Sequence, residues 1–305
     1  VTFAERPVVI EAAINGANPD APRAPEEITR CALACFDAGA AVVHNHIDLF
    51  GTAEEAAARY REGWDPVLAA RPDALLYPTI NGIGPVEERY SHIPALAEEG
   101  GLRIGVIDPG SVNLGASFAY VNAGSDIEHQ WKLCDELRLV PGLSIFEPGF
   151  LRAALSYWRA GKLPAGSMLR FYFGGREAEA DGGFTFGLAP TGRALDAYLE
   201  LLGDCPLPWS VTVVGGDLFA TDLPQLALAR GGHLRVGLED HRGRRASNEE
   251  LVARAVDAVR ASGRPLADCA TAAAFLGLRP ASRSLGPPAS GRYGETTPLS
   301  RGGPP

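Results

Sequence analysis

The stretch richest in chemistry is residues 41–48, Ala-Val-Val-His-Asn-His-Ile-Asp. It opens as an apolar strand and then presents His44 and His46 one residue apart. Side chains alternate along a strand, so both imidazoles face the same side. Two neutral imidazoles converging from one strand suit a divalent metal, which then needs a third ligand. A second stretch, residues 233–240, His-Leu-Arg-Val-Gly-Leu-Glu-Asp, ends an apolar run with Glu239 and Asp240. Two histidines plus one of these carboxylates, with a position left for substrate, is a common catalytic zinc set. The plainer alternatives are hydrogen-bonded rim histidines and a loop start or helix cap at 239–240. Arg235 lies four residues before Glu239, on the same face if the strand persists. A cation buried beside acids is normally paired. Arg235 is expected to hold Asp240 ionised and to lower its pKa, forming a general-base unit; a simple core salt bridge is the alternative. Glu11, inside another apolar run, either accepts a hydrogen bond from a ligand histidine or pairs with a core cation. The sequence leaves both open.

The elements that must position these residues alternate along the chain. Strands are expected at 7–15, 41–48, 74–80, 102–108, 143–148, 168–174, 209–215 and 233–239. Helical patterns lie between them. One runs from Pro25 to Gly39, and others start at Thr52, at a Ser125–Glu128 capping box, at Asp222 and at Ser247. Eight strand–helix units in about 260 residues is the tally of a (β/α)8 TIM barrel. A doubly wound open sheet is the rival, but no Gly-x-Gly-x-x-Gly follows the first strand. In a closed barrel, strands two and eight both flank strand one, so His44, His46 and Glu239 can meet above it. The reading divides the chain into one barrel domain, 1–278, and a Pro/Gly/Ser-rich tail, 279–305, unable to bury a core of its own.

Composition narrows the function classes. The chain has 305 residues, is 46% hydrophobic and 21% charged, and carries a formal charge of −9. That balance argues against nucleic acid or an anionic membrane as partner. No apolar run reaches the roughly 18 residues of a membrane span. The five cysteines are scattered without a Cys-x-x-Cys pair, so a reducing, cytoplasmic compartment is expected. Two further rim features concern anions. Arg242, Arg244 and Arg245 cluster in the loop after strand eight, where guanidinium groups suit phosphate. Gly215 and Gly216 end strand seven before Asp217, and their amides are candidates for holding an anion of a cosubstrate.

Five segments in this order resemble the β-keto acid cleavage enzymes, zinc-dependent (β/α)8 proteins. They are Ala-Ala-Ile-Asn-Gly-Ala-Asn (12–18), the His-x-His strand, Ser-Val-Asn-Leu-Gly (111–115), Ile-Phe-Glu-Pro-Gly (145–149) and Gly-Gly-His-Leu-Arg-Val-Gly-Leu-Glu-Asp (231–240). The resemblance covers residues 7–278, and its last segment is the most specific. It implies Zn2+ on His44, His46 and Glu239, and a base unit of Arg235 and Asp240. It implies conversion of a β-keto acid and acetyl-CoA into acetoacetate and a new acyl-CoA, in a symmetric homo-oligomer, dimer or tetramer. Asn18, Thr79, Asn81, Asp108, Ser111 and Glu147 then form the substrate shell, with Arg242, Gly215 and Gly216 near the cosubstrate. Four positions depart from the family's commoner pattern. Asp48 replaces a frequent arginine, Asn18 stands where members binding an amino substrate have an acid, Asp108–Pro109 replaces smaller neutral residues, and Thr79-Ile80-Asn81 replaces Thr-Gly-Gly. The runner-up is a metal-dependent TIM-barrel hydrolase. Such enzymes place the His-x-His pair on strand one and draw further ligands from the middle strands, where this chain has no histidine. A non-enzymatic barrel is the third reading.

Overall fold

The computed structural model describes residues 3–48, 51–98, 101–114, 118–175, 186–243 and 245–280. Eight short, mostly aliphatic runs form its parallel ladder: β1 (Ile10–Ala13), β2 (Val42–Asn45), β3 (Leu76–Pro78), β4 (Ile104–Ile107), β5 (Val140–Ile145), β6 (Met168–Gly174), β7 (Trp209–Val214) and β8 (His233–Val236). Strands buried on both faces read as continuous apolar runs, and these do. The pairing order is β3-β2-β1-β8-β7-β6-β5-β4. The first strand therefore lies beside the last, with Glu11 opposite Arg235, and beside β2, with Ala13 opposite His44. Between β3 and β4 no ladder pairing closes the ring among the described residues. There Arg103 donates to the carbonyls of Asp73 and Ala74 at 3.0 and 2.8 Å and staples the seam. The sheet is a nearly closed TIM barrel, as the alternation of elements predicts.

Among the described residues ten helices accompany the strands: α1 (Pro25–Ala38), α2 (Ala53–Ala70), α3 (Val86–Arg89), α4 (His92–Glu98), α5 (Gly124–Glu136), α6 (Pro148–Arg159), α7 (Gly192–Leu202), α8 (Leu223–Ala229), α9 (Asn248–Ser262) and α10 (Cys269–Phe275). Their ends follow local chemistry. Thr52 and Ser247 each accept a hydrogen bond from the backbone N–H of the third helical residue, and the Glu55 and Glu250 carboxylates accept in turn from the Thr52 and Ser247 N–H groups. Gly39, at φ +114°, ends α1. A short hairpin follows β4, pairing Val112–Asn113 with Ala119–Tyr120. No helix among the described residues is long and apolar enough to cross a membrane.

Two expectations need correction. The capping box at Ser125–Glu128 does not form. Helix α5 starts one residue earlier, and Asp126 accepts from the Ala123 N–H at 3.0 Å, while Glu128 faces Lys162. Just past the end of this helix, Arg138 adopts a left-handed φ of +55°. Strand β5 then begins at Val140, earlier than 143, even though Pro141 and Gly142 are poor strand formers. Gly142 is required by packing: a Cβ there would collide with the Arg170 guanidinium inside the barrel. Arg244 and residues 281–305 of the expected tail lie outside the described residues.

Candidate active site at the C-terminal mouth of the barrel

Strand β2 carries His44 inward near its C-terminal end, and His46 follows one residue past it. The intervening Asn45 points the other way and accepts from the Trp64 indole N–H at 2.8 Å. The backbone of His46 is clamped by Asn15. Its N–H donates to Asn15 Oδ1 at 2.7 Å, and Asn15 Nδ2 donates to its carbonyl at 2.9 Å. On the other side of β1, β8 stops at Val236. Gly237 has a φ of +138°, and a Cβ there would collide with the Ala13 backbone. Only glycine permits this close turn. The turn brings both Glu239 and Asp240 into the mouth, and the Glu239 N–H donates to the Ala13 carbonyl at 3.1 Å.

The outcome is a convergent triad. His44 Nε2 lies 3.3 Å from Glu239 Oε2, and His46 Nε2 lies 3.1 Å from Glu239 Oε1. One ligand atom from each residue falls within 4.8 Å of the others. Three observations suit this set to a metal ion. His44 directs Nδ1 to the Tyr77 carbonyl at 3.3 Å, which leaves Nε2 as a lone-pair donor toward Glu239. Glu239 Oε2 is buried without a well-formed hydrogen bond. Gly16, with φ +67°, packs so closely that a Cβ would sit 2.6 Å from Glu239 Cγ. Burial, partly opposed by Glu239, drives the His44 pKa down to about 3, and a neutral imidazole is what a metal requires. Burial also opposes charge on Glu239, but Arg235 and the two histidines outweigh it and hold its pKa well below the usual carboxylate range.

Below the triad runs an ion network that the sequence only hinted at. Arg235 is 1% exposed and serves three carboxylates: Nε donates to Asp240 Oδ2 at 2.8 Å, Nη1 to Glu11 Oε1 at 2.7 Å, and Nη2 lies 3.1 Å from Glu239 Oε2. Glu11 is paired with core cations and does not reach a histidine. It also accepts from Arg170 at 2.8 Å and from the Tyr77 hydroxyl at 2.5 Å. Burial opposes its charge, but Arg170 and Arg235 bring its pKa to about 2. Three carboxylates thus face two guanidiniums, and with neutral histidines the cluster has one negative charge unmatched. A divalent cation would compensate it. The expected lowering of the Asp240 pKa is overturned. Burial and the neighbouring Glu239 raise it, because Arg235 divides its attraction among three acids. Asp240 Oδ2 also accepts from Thr212 at 2.8 Å. Tyr77, Arg170, Thr212 and Asn15 escaped the sequence reading. An arginine within an otherwise apolar strand, as at 170, was the signal available.

A family description, beta-keto acid cleavage enzyme, matches residues 7–278. The chain belongs to the β-keto acid cleavage enzyme family. It is 30% identical over 284 residues to the 3-keto-5-aminohexanoate cleavage enzyme of Acetoanaerobium sticklandii, covering 89% of this chain and 98% of that one. It is 25% identical over 295 residues to the 3-dehydrocarnitine:acetyl-CoA trimethylamine transferase of Rhizobium meliloti, covering 85% and 92%. Among solved structures, ObcA in complex with oxaloacetate shares the fold, with a TM-score of 0.67 at 18% identity over 85% of this chain and 68% of that one. Family membership removes the hydrolase and the non-enzymatic barrel as leading readings.

The remaining expected site residues of this β-keto acid cleavage enzyme divide by location. Asn18 is buried, donates to the Leu238 carbonyl at 3.0 Å and so braces the loop bearing Glu239. Thr79 follows β3, and its carbonyl accepts from His92 at 2.9 Å. Asn81 folds its side chain back onto the Ile83 N–H. Asp108 ends β4 and is buried. Ser111 exchanges two hydrogen bonds with the backbone of Asn122 and closes the hairpin. Glu147 precedes α6 and accepts from the Gly187 N–H at 2.9 Å. Arg242 turns its guanidinium onto the carbonyls of Leu238 and His241, on its own loop. Gly215 does not offer a free amide: its N–H donates to the Asp240 carbonyl at 2.8 Å. Gly216 is buried beside it, in a bridge to His241. Asp48 pairs with Arg59 on α2 at 3.0 Å. An open cavity of about 910 Å³ lies between the loops after β1 and β8; Arg30, Arg242 and Arg245 line it together with Asp20, Glu27, Glu249 and Glu250, and no residue of the triad does.

Proposed function

We propose that this enzyme is a zinc-dependent acyltransferase that converts a β-keto acid and acetyl-CoA into acetoacetate and a new acyl-CoA. The observation that carries the reading is the convergence of His44, His46 and Glu239 on one point, with the buried Arg235–Asp240 pair directly beneath it. Zinc held by these three residues would supply a Lewis acid that stabilises negative charge on the keto oxygen. The other steps belong to side chains. Asp240 removes the proton next to the keto group. Its raised pKa strengthens it as a base, and Thr212 and Arg235 fix its direction. Arg235 cannot swing away, because Glu11, held in turn by Arg170 and Tyr77, anchors its far nitrogen. The enolate attacks the thioester, CoA moves to the other acyl group, and carbon–carbon cleavage releases acetoacetate.

The substrate shell of this reading is Asn18, Thr79, Asn81, Asp108, Ser111 and Glu147. Arg242 lines the 910 Å³ cavity, which supports placing the CoA moiety there. The proposal includes a cytoplasmic homo-oligomer, dimer or tetramer, built from one barrel domain per chain, and light scattering tests the assembly. The chemical test is metal analysis of the purified protein together with acetoacetate formation from a panel of β-keto acids. Dependence on both acetyl-CoA and zinc is the expected result. Turnover without acetyl-CoA would overturn the reading.

A further inference from the structure

Tyr77 touches both the metal-ligand triad and the base unit, through different parts of one residue. It sits on β3 in register with His44 of β2, so the two side chains stand side by side on the inward face. Their rings stack, with centroids 4.4 Å apart and planes inclined by 24°. The Tyr77 carbonyl also faces His44 Nδ1 at 3.3 Å. The carbonyl selects the tautomer of this imidazole and the ring restrains its tilt, the two properties that aim Nε2 at a metal.

The far end of the same ring serves the ion network. The hydroxyl donates to Glu11 Oε1 at 2.5 Å and accepts from Arg235 Nη1 at 3.0 Å. Arg235 Nη1 meets that same Glu11 oxygen at 2.7 Å. Hydroxyl, carboxylate and guanidinium thus close a cycle of hydrogen bonds, and Arg235 holds Asp240 through Nε. The Arg170 guanidinium carbon lies 4.7 Å from the ring centroid. Tyr77 is 2% exposed, so water does not compete for these contacts.

The demands on this position are specific. In the ladder β3 pairs with β2 alone, and Glu11 stands on β1, the strand beyond. Two strand spacings amount to about 9–10 Å. Leucine is too short to cross that gap, and phenylalanine crosses most of it but offers no hydrogen bond. Glutamine reaches far but gives His44 no ring to stack on. Tyrosine combines reach, a flat apolar face and a terminal hydroxyl.

The geometry points to Tyr77 as a positioning residue that fixes the metal ligand His44 and the base partner Arg235 relative to one another, its ring acting on the first and its hydroxyl on the second. This rests on the zinc-dependent β-keto acid reading above and deepens it. Tyr77 takes no proton and binds no metal. Its effect passes through the direction of the His44 imidazole and the placement of the Arg235–Asp240 pair, where a misplacement of about 1 Å is enough to slow the reaction.

The experiment separates the two ends of the side chain. Zinc affinity is measured by competition with a chromogenic chelator, and kcat and KM for acetoacetate formation are measured at full zinc occupancy. Tyr77→Phe keeps the ring against His44 and loses only the hydroxyl. It should bind zinc within about twofold of wild type, keep its KM, and lose about 10–100-fold in kcat. Tyr77→Leu removes the ring as well, and its zinc affinity should fall by about 10–100-fold. Wild-type kcat in Tyr77→Phe would overturn the proposal, as would wild-type zinc affinity in Tyr77→Leu. Parallel loss of zinc affinity and kcat in Tyr77→Phe would overturn it too, since that pattern marks a general loosening of the barrel. If Tyr77→Leu fails to fold, Tyr77→Met, which keeps bulk and length without a ring, takes its place. Absence of acetoacetate formation by the wild-type enzyme would refute the proposed reaction. The half concerning Arg235 then falls with it, and the zinc affinity of Tyr77→Leu still decides the half concerning His44.

Discussion

Glu239 and Asp240 are adjacent carboxylates with opposite environments, and the environments assign their roles. Glu239 faces two histidines and a guanidinium, which keep it ionised, the state that its proposed role as a metal ligand requires. Asp240 is buried beside that negative charge and is pushed toward protonation. Asp240→Asn should leave zinc content nearly unchanged and lower turnover by roughly 10²–10⁴, the usual contribution of a positioned general base. Glu239→Gln should instead lose the metal. Zinc analysis alongside acetoacetate formation separates the two, and near-normal turnover in zinc-loaded Asp240→Asn would transfer the base role elsewhere. Gly16 is the third residue-scale test. Its φ of +67° and its packing against Glu239 Cγ leave no room for a methyl group. Gly16→Ala should weaken metal affinity by about 10–100-fold, as a change in the residues supporting a ligand does. Competition with a chromogenic chelator reads that shift directly.

At the scale of elements, the site depends on the shape of the sheet. The triad exists because β1 is flanked by β2 and β8, so the barrel has to stay closed. Seven of the eight junctions are hydrogen-bonded ladders. The eighth, between β3 and β4, relies on Arg103 reaching the carbonyls of Asp73 and Ala74. Burial lowers the Arg103 pKa, an environment in which its hydrogen bonds are hard to replace with water. Arg103→Ala should destabilise the fold by about 1–3 kcal/mol, the cost of leaving buried carbonyls unsatisfied. Hydrogen exchange should accelerate first in β3 and β4. Uniform acceleration around the barrel would show that this seam is no weaker than the others.

For the whole molecule, acid sensitivity follows from histidines buried in neutral form away from the metal site. His233 accepts from the Val9 N–H at 2.9 Å, so Nδ1 carries no proton. Burial, reinforced by Arg264 and Arg6, lowers its pKa to about 3. His92 is lowered to about 4, again by burial. Both folded values lie below the unfolded value of about 6.5. Their stabilisation is therefore complete above pH 6.5 and is lost as pH falls toward the folded values, at up to about 1.4 kcal/mol per pH unit for each group. The Tm should decline between pH 6.5 and 5, before most carboxylates titrate. His233→Gln, which retains an acceptor for Val9, should flatten part of that slope. Identical slopes for variant and wild type would refute the assignment.

The sequence by itself determined the barrel and singled out the three residues of the candidate metal site. Strand alternation puts His44 and His46 on one face, and eight strand–helix units bring the end of β8, with Glu239 and Asp240, to the same rim. These are local periodicities combined with a topological count, and both can be read along the chain. The tertiary structure decided what depends on contacts between distant strands. Glu11 could have faced a histidine or a cation, and only the barrel interior shows it between Arg170 and Arg235. The Asp240 pKa moved upward because burial and the neighbouring Glu239 outweigh Arg235, a balance that no single segment records. Gly215 read as a free amide until the turn after β8 supplied the Asp240 carbonyl. Asp108 read as one polar residue among several at the rim. Its bond from the Tyr120 hydroxyl arises only where the hairpin after β4 folds back against the barrel.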